Sequence, residues 1–252
     1  MNKTKHTYIF KEIGHQFIHL NTVDSTNNYA ANLCKTASNA AGVVILSDYQ
    51  TEGRGQRSNI WQSNLAENLT FSFIINPKNY NINDPICINH HISVAILNFF
   101  EKMGHSTTVK WPNDIYFDDK KIAGILIENI YSGNNFKYSI IGIGLNVNQI
   151  EFDYPKATSL KKITGNNYNI LESLKDLIFT MNQTFNYYST LNSKEIMDIF
   201  NSKLYKKEIK SFFRIRDETV LGTIKGTTKN GSLIVEINNQ EMLFNNGEIS
   251  FV

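Results

Sequence analysis

Three strand-like segments joined by short polar turns constrain the fold of this chain more than any other feature. They read TTVKWPNDIYF, KKIAGILIENI and KYSIIGIGLNVNQ, and the turns between them are DDKK and SGNN. Two β-branched runs, residues 42–50 and 68–76, come earlier and are also typical of strands. Because helical segments are interspersed with these strands, the order predicts an α+β fold with a mixed, largely antiparallel sheet flanked by helices.

Two long helices are predicted from the spacing of apolar residues. One begins at Asp84, a favourable N-cap residue followed by Pro85, and stops at Gly104. The other carries apolar residues three and four positions apart between Leu171 and Tyr188, and a shorter helical segment follows near residues 194–204. Stripes of this kind are typical of core packing and require no cofactor.

The pattern changes near Tyr205 to the short strand-like segments EIKSFFRI, VLGTIKGTT, SLIVEI and EMLFNN. Turn signals separate the later segments, first at Lys229-Asn230-Gly231 and then at Asn238-Asn239. Such a stretch predicts a small SH3-like β-barrel. The predicted domains are therefore residues 1–204 and 205–252.

Composition argues against several classes of protein. The 252 residues include 25 basic and 23 acidic side chains, so the formal net charge of +2 gives no general attraction to DNA or membranes. Cys34 and Cys87 form no CxxC pair, which argues against zinc ribbons and disulfide scaffolds and favours a reducing cytoplasm. No run approaches the roughly 18 apolar residues of a membrane span. We predict a soluble cytoplasmic protein that binds neither DNA nor membranes.

The loop DYQTEGRGQRSNIW, residues 48–61, joins the first two predicted strands. Gly53 and Gly55 permit positive φ and close approach to a ligand, while Arg54 and Arg57 are forked donors suited to phosphate or carboxylate. Trp61 is suited to cover a flat apolar group. A solvated loop with Trp61 in the core explains the same residues equally well, so the loop alone leaves both interpretations open.

Two further segments have both a chemical and a structural interpretation. In KWPND, Lys110 is a lone cation beside a proline-fixed turn, and Asn113 and Asp114 could bind an amide, a hydroxyl or a magnesium-bound water. An Asx turn explains the same pair. In VDSTNNYA, Asp24, Ser25 or Thr26 is most simply a helix cap, but the start of a helix also presents donors to a polar ligand.

Common nucleotide and nucleophile motifs are missing from the sequence. It contains no GxxxxGK[ST] phosphate loop, no GxSxG elbow and no HExxH zinc motif. GIGLNV, residues 142–147, begins like a dinucleotide fingerprint but lacks the third glycine and the helix that should follow.

Taken together and in this order, DSTN, GRGQRSNIW, KWPND, KIAGILIE and GIGLNVN resemble the catalytic core of biotin protein ligases. GEIS near Gly247 is similar to the small C-terminal β-domain of that family, so the resemblance spans about residues 21–251. It implies a core similar to that of class II aminoacyl-tRNA synthetases. It also implies a two-step reaction, in which biotin and MgATP give biotinoyl-5′-AMP and pyrophosphate. A lysine of a biotin carboxyl carrier protein then attacks this adenylate and releases AMP.

The resemblance further implies roles for the residues that match the family motifs. Lys110 and Arg54 would be catalytic. The biotin-binding residues would be Ser25, Thr26, Asn27, Gln50, Arg54, Gly55, Gln56, Lys110 and Gly124. The residues that bind ATP and the adenylate would be Arg54, Arg57, Trp61, Asn113, Lys121 and Asn146. Mg²⁺ would accompany ATP, with ligands left unassigned because phosphates and waters supply many of them.

Two departures from the family pattern affect these expectations. The common loop is close to GRGRxGR, whereas Gln56, Ser58 and Asn59 stand here at an arginine, a glycine and an arginine, so weaker retention of the adenylate is expected. The segment before Val23 is too short for the DNA-binding winged helix of some relatives, which predicts the single-function form of the ligase. Homologous ligases dimerise through an exposed sheet edge, and both a monomer and a homodimer fit this sequence.

Two alternative functions use the same features. A lipoate–protein ligase shares the core fold and the adenylation chemistry, although GRGQ and KWPND favour biotin. The second alternative is a biotin-sensing protein that binds its ligand without turnover. Lys110, Arg54 and Arg57 argue against that alternative because binding alone does not require them.

Overall fold

The computed structural model of the chain describes residues 12–80, 82 and 84–252, so the predicted first domain begins outside the described residues. The large sheet contains β1 (Gln16–Val23), β2 (Val43–Gln50), β3 (Leu69–Ile75), β4 (Thr108–Lys110), β5 (Asp114–Phe117), β6 (Lys120–Ser132) and β7 (Asn135–Leu145). Its strand order is β1-β2-β3-β7-β6-β5-β4. Only β1 and β2 pair in parallel among these seven strands, which confirms the predicted mixed, largely antiparallel sheet.

Helices flank this sheet as predicted. They are α1 (Thr26–Thr36), α2 (Pro85–Lys102), α3 (Leu160–Thr164), α4 (Ile170–Tyr188) and α5 (Ser193–Ser202). The Asp84 carboxylate accepts a 3.0 Å hydrogen bond from the backbone N–H of Ile86, so the predicted cap of α2 is confirmed. Within the described residues, no helix combines the length and the apolar character that a membrane crossing requires.

The two faces of the large sheet are covered to different extents. Phe71 and Ile143 belong to one face and are buried with α2 and α4 in the main core. On the opposite face, Ala30 of α1 packs in a smaller cluster over one end of the sheet. The remainder of that face carries small residues such as Gly142 and Gly144. This uncovered part of the sheet leaves room for a cavity.

Two segments of the large sheet differ from the sequence prediction. β1 was not predicted because it is an exposed edge strand with few buried side chains, so its apolar alternation is weak. TTVKWPNDIYF is two short strands, β4 and β5, which turn back on each other around a cis Trp111–Pro112 bond. A proline in a tight turn removes a donor and separates the strands on either side.

The C-terminal residues form a second sheet with the order β11-β10-β9-β8-β12. Its strands are β8 (Lys210–Ile215), β9 (Glu218–Thr227), β10 (Leu233–Ile237), β11 (Gln240–Phe244) and β12 (Ser250–Phe251). All of its pairings are antiparallel, which agrees with the predicted small β-domain. Asn238 and Asn239 have φ values of 52° and 62°, as a tight hairpin between β10 and β11 requires. The boundary between residues 204 and 205 stays a prediction.

The two sheets share one hydrophobic interior. Phe213 of β8 and Phe244 of β11 belong to the same buried cluster as Phe100 of α2 and Phe200 of α5. Backbone hydrogen bonds reinforce this junction, since Val109 of β4 donates to Lys203 and accepts from Tyr205.

Two buried histidines on α2 should make the stability of the fold depend on pH. The His90 ring lies 4.2 Å from the Phe200 ring and the His91 ring lies 5.2 Å from the Phe185 ring, measured between centroids. Burial lowers the pKa of both histidines to about 4, because the charged imidazolium is poorly solvated there. The unfolded chain, with a histidine pKa near 6.5, therefore takes up protons first as the pH falls.

The free energy of unfolding is expected to fall by about 2 kcal/mol per histidine between about pH 6.5 and pH 5, a window above the lowered pKa values. Chemical denaturation at several pH values measures this change. His91→Leu should reduce the dependence of the unfolding free energy on pH in this window. His15→Gln, at an exposed site, should leave that dependence unchanged. Identical profiles for wild type and His91→Leu would contradict the prediction.

Candidate active site

A cavity of about 230 Å³ opens on the uncovered face of the large sheet. Most of the predicted site residues line it, namely Ser25, Thr26, Asn27, Gln50, Arg54, Gly55, Gln56, Arg57, Trp61, Asn113, Lys121 and Gly124. Lys110 and Asn146 do not line this cavity. The structure thus brings most of the predicted site residues together in one cavity, although they come from segments that lie far apart in the chain.

The floor of the cavity consists of two rows of residues that cross the sheet. In one row Thr70, Gly144, Gly124 and Asp114 are successive partners on β3, β7, β6 and β5. In the next row Ser72, Gly142 and Leu126 are partners on β3, β7 and β6. Side chains of directly paired residues share a face of the sheet. Small residues in both rows leave the space that becomes the cavity.

Two glycines of the floor are needed because other side chains lie directly on them. A Cβ atom at Gly144 would overlap the indole of Trp61, and a Cβ atom at Gly142 would overlap the side-chain amide of Asn27. Neither glycine was predicted as a site residue, because Asn146 was the residue of GIGLNVN to which a binding role was given. The signal was present in the sequence, because glycine inside a strand often marks close approach by another group.

One end of the cavity is lined by hydrogen-bonding groups at the start of α1. The Gln50 side-chain oxygen accepts hydrogen bonds from the Thr26 backbone N–H (2.7 Å) and hydroxyl (3.0 Å). The Ser72 hydroxyl lies 2.6 Å from both the Thr26 hydroxyl and the Asn27 amide oxygen. All three of Ser72, Thr26 and Asn27 are nearly inaccessible to solvent. Ser72 was missed because it stands inside an apolar strand sequence.

The predicted side-chain cap at the start of α1 is wrong. Ser25 occupies the N-cap position, but its side chain makes no capping hydrogen bond. Gln50, from the neighbouring strand end, satisfies the Thr26 N–H instead. Ser25 therefore lines the cavity without a side-chain capping role.

The arginine-rich loop crosses the mouth of the cavity. The expected positive φ at Gly53 and Gly55 is wrong, because the residue of this loop with positive φ is Arg57 (54°). Gly53 is required for a different reason, since a Cβ atom there would overlap the backbone oxygen of Trp61. Gly55 donates its N–H to Asn59 at 2.7 Å, which closes a compact turn.

The second half of this loop rests on the C-terminal sheet. The Gln56 side-chain oxygen accepts a 2.8 Å hydrogen bond from the Asn246 amide. The Arg57 guanidinium occupies the space beside Gly247, where any side chain would overlap it. The C-terminal segment that contains GEIS therefore contacts the loop and supports it.

Lys121 supplies the cation closest to the glycine floor. Its Nζ is 2.6 Å from Asp114 Oδ1 and 5.6 Å from the centroid of the Trp61 ring. Asp114 is the one carboxylate among the described residues that line the cavity. The buried Trp61 Nε1 has no hydrogen-bond partner among the described residues. The Lys121 ammonium, the Trp61 ring and the Trp61 N–H, unpaired in the described part of the chain, therefore lie close together in the cavity.

Lys110 does not line the cavity in which it was expected to bind biotin. It pairs with Asp114 across β5 and β4, so it extends the glycine row to the outermost strand of the sheet. With strands about 4.8 Å apart, this places Lys110 two strand spacings from Gly124. Its Nζ donates to the Tyr116 hydroxyl at 3.1 Å and lies 5.5 Å from the centroid of Phe251. Burial lowers the pKa of its ammonium, an effect that nearby Asp114 opposes.

Asn146 and Asn113, the other two residues predicted to bind ATP, differ in their position relative to the cavity. Asn146 is buried, and its amide donates to the Thr158 backbone oxygen at 2.9 Å, so it fixes the segment before α3 instead of facing the cavity. Asn113 lines the cavity, although its amide donates to the Ile125 backbone oxygen.

Residues 20–146 match the model of the biotin/lipoate A/B protein ligase family. The bifunctional ligase/repressor BirA of Bacillus subtilis is 30% identical over 236 residues, which cover 90% of this chain and 71% of that protein. The chain belongs to the biotin/lipoate A/B protein ligase family. The human biotin–protein ligase is 29% identical over 143 residues, which cover 54% of this chain and 20% of the human protein.

A solved structure of a family ligase supports the same assignment. The biotin protein ligase from Aquifex aeolicus, in complex with biotin and ATP, superimposes with a TM-score of 0.77 and 26% identity. The match covers 94% of this chain and 99% of the Aquifex protein, so it includes the C-terminal sheet. The family fold is therefore present over nearly the whole chain.

Proposed function

We propose that this chain is a biotin protein ligase that activates biotin with ATP and transfers it to a lysine of a biotin carboxyl carrier protein. One observation carries the proposal: a hydroxyl-lined end, a lysine cation and an arginine loop meet in a single cavity with a glycine floor. The family assignment supports this chemistry, and so do the biotin and ATP bound to the Aquifex ligase.

The hydroxyl-lined end suits the polar head of biotin. Thr26, Asn27 and Ser72 present hydroxyl and amide groups at fixed positions, because each is held by a neighbour at 2.6–3.0 Å. Ser25 and Gln50 complete this end. Gly142 lets Asn27 lie directly on the strands, and Gly124 and Leu126 line the cavity beside it, where Leu126 would contribute apolar contact. A buried polar head paired in this way resists exchange for an apolar analogue.

We assign the main electrostatic role in adenylation to Lys121 in place of Lys110. A biotin carboxylate oxygen attacks the α-phosphorus of ATP, a new O–P bond forms, and pyrophosphate leaves with the electron pair of the broken bond. Negative charge gathers on the phosphate during this step, and a positioned cation lowers its energy. Lys121 faces the cavity beside Trp61, which would stack on the adenine, whereas Lys110 points towards Tyr116 and Phe251.

Mg²⁺ would enter with ATP and offset charge on its phosphates. Among the described residues there is no cluster of three or more His, Cys, Asp and Glu side chains. Asp114 and Asn113 line the cavity and offer oxygen ligands of the kind Mg²⁺ takes. We infer that these two residues, together with the phosphates, would hold the ion.

The loop of residues 51–60 would act as a lid over the adenylate. Arg54, Gly55, Gln56 and Arg57 line the cavity from this side, and their arrangement would shield the mixed anhydride from water. In the second step the amine of the carrier lysine attacks the biotinoyl carbonyl, the C–O bond to AMP breaks and an amide forms. We place this reaction in the cytoplasm, and the free thiols of Cys34 and Cys87 fit that compartment.

The decisive experiment is biotin-dependent exchange between ATP and labelled pyrophosphate, with lipoate as the control acid. Exchange with biotin and none with lipoate is expected, followed by label transfer to a biotin carboxyl carrier domain with release of AMP. Exchange with lipoate alone would identify a lipoate–protein ligase. Biotin binding without exchange or transfer would identify a biotin sensor.

Gln56→Arg is expected to slow release of the adenylate severalfold, because a guanidinium adds a charge-assisted hydrogen bond to the phosphate. Release of labelled biotinoyl-AMP after rapid dilution measures the rate. Gln62→Arg adds the same charge outside the cavity lining and should leave release unchanged. Equal release rates for Gln56→Arg and wild type would refute the prediction.

A further inference from the structure

A continuous chain of hydrogen bonds runs behind the cavity from one side of the lid to the other. It begins at Gln50, immediately before the lid, whose side-chain oxygen accepts from the Thr26 backbone N–H, and it continues from the Thr26 hydroxyl through the Ser72 hydroxyl to the Asn27 amide oxygen. The Asn27 amide then donates to Glu128 Oε2 at 2.7 Å. The same carboxylate oxygen accepts from Arg54 Nη2 at 2.9 Å, which returns the chain to the lid.

Within this series of hydrogen bonds, Glu128 is the residue that connects the cavity to the lid. It lies on β6 two residues beyond Leu126, on the cavity face of the sheet, and pairs with Ile140 of β7. Asn27 reaches it from the buried end of the cavity, while Arg54 reaches it from the lid. Glu128 ends the segment KIAGILIE, but it does not line the cavity and no role was predicted for it.

The contact with Glu128 leaves Arg54 able to bind an anion. A guanidinium has five N–H donors in a rigid fork, and one Nη2 donor is directed to the carboxylate. Because the fork is planar, fixing one donor also fixes the direction of the others. Asn27 in turn fixes the carboxylate oxygen, and Gly142 lets Asn27 lie against the sheet.

We propose that Glu128 is a positioning residue that orders Arg54 over the reacting groups and so keeps the lid closed on the adenylate. This inference rests on the proposed ligase function for its kinetic consequence, but the ordering of the lid by Glu128 is independent of that function. The side chains of Arg54 and Glu128 are 43% and 37% exposed. An isolated ion pair with this exposure would contribute little to the stability of the closed lid. The link from Arg54 to the buried Asn27 distinguishes this pair.

The kinetic test compares Glu128→Gln, Arg54→Ala and the double variant. Glutamine keeps the shape and an acceptor for Asn27 but removes the charge that holds Arg54. Glu128→Gln should lose bound adenylate about tenfold faster than wild type, as expected for a lost charge-assisted hydrogen bond. If Glu128 acts through Arg54, the double variant should lose adenylate no faster than Arg54→Ala alone. Unchanged retention in Glu128→Gln, or independent additive effects, would overturn the proposal.

A second measurement needs no ligand and no activity. Limited trypsin digestion after Arg57 reports opening of the lid, and Glu128→Gln should be cleaved about threefold faster than wild type. The control is Glu172→Gln, which removes the 2.7 Å surface pair with Lys175 and should alter neither cleavage nor adenylate loss. Glu128→Gln, Glu172→Gln and the wild type should have equal melting temperatures. Equal cleavage of Glu128→Gln and wild type would refute the ordering role even in a chain that fails the pyrophosphate-exchange test.

Discussion

Lys121→Ala should slow biotinoyl-AMP formation by about a thousandfold, while Lys110→Ala should slow it by less than about tenfold. The difference follows from strand order. Lys121 faces the cavity on β6, beside Trp61 and Asp114, whereas Lys110 lies on the outermost strand against Tyr116. A single-turnover assay with labelled ATP measures the adenylation rate directly.

Two controls separate loss of chemistry from loss of structure in this experiment. Lys120→Ala removes an exposed cation from the adjacent position and should retain the wild-type rate. Lys121→Met keeps the length of the side chain without its charge and should be as slow as Lys121→Ala. If Lys110→Ala proves the slower variant, the assignment of the reacting end of the cavity to Lys121 is wrong.

Gly144→Ala is expected to lower kcat/KM for ATP by about 100-fold, because a displacement of about 1 Å in a positioning group can cost that much. The added methyl group would overlap the Trp61 indole, which lies directly on this glycine. Gly144 does not have positive φ, so alanine suits its strand backbone and the effect should come from displacing the ring. Steady-state exchange at varied ATP concentration measures the change.

A double variant tests this explanation. Trp61→Ala removes the ring and should reduce kcat/KM for ATP by a similar factor. Gly144→Ala added to Trp61→Ala should then have almost no further effect, since the methyl group would meet empty space. Additive losses would show that Gly144 matters for a reason other than contact with Trp61.

Periodicity and capping residues predicted most of the framework, apart from the edge strand β1 and the division of TTVKWPNDIYF into β4 and β5. Asp84 and Pro85 define the start of α2, and the spacing of apolar residues defines α4. β2 and β3 are buried along most of their length and appear as apolar runs. These signals are local, so they can be recognised without knowledge of the rest of the fold.

The parts of the site that were missed depend on which strands are neighbours. Lys110 and Lys121 are both lysines at the ends of strand-like segments, and only the sheet order shows which one faces the cavity. Gly142 inside a strand indicates close approach by some group, but only the fold shows that this group is the Asn27 side chain. Glu128 contacts Arg54 from 74 positions away, a relation that no local pattern encodes.

The single interior shared by the two sheets has a consequence for how variants of this chain would be interpreted. Phe213 lies in the C-terminal sheet, yet it is buried in the same cluster as the helices that support the cavity floor. The two sheets should therefore unfold together and give a single calorimetric transition. A substitution at Phe213 would lower activity in cells by reducing the amount of intact protein, while each surviving molecule kept its normal turnover. Genetic screens would then identify a buried C-terminal position such as Phe213 as essential, although its side chain does not line the cavity.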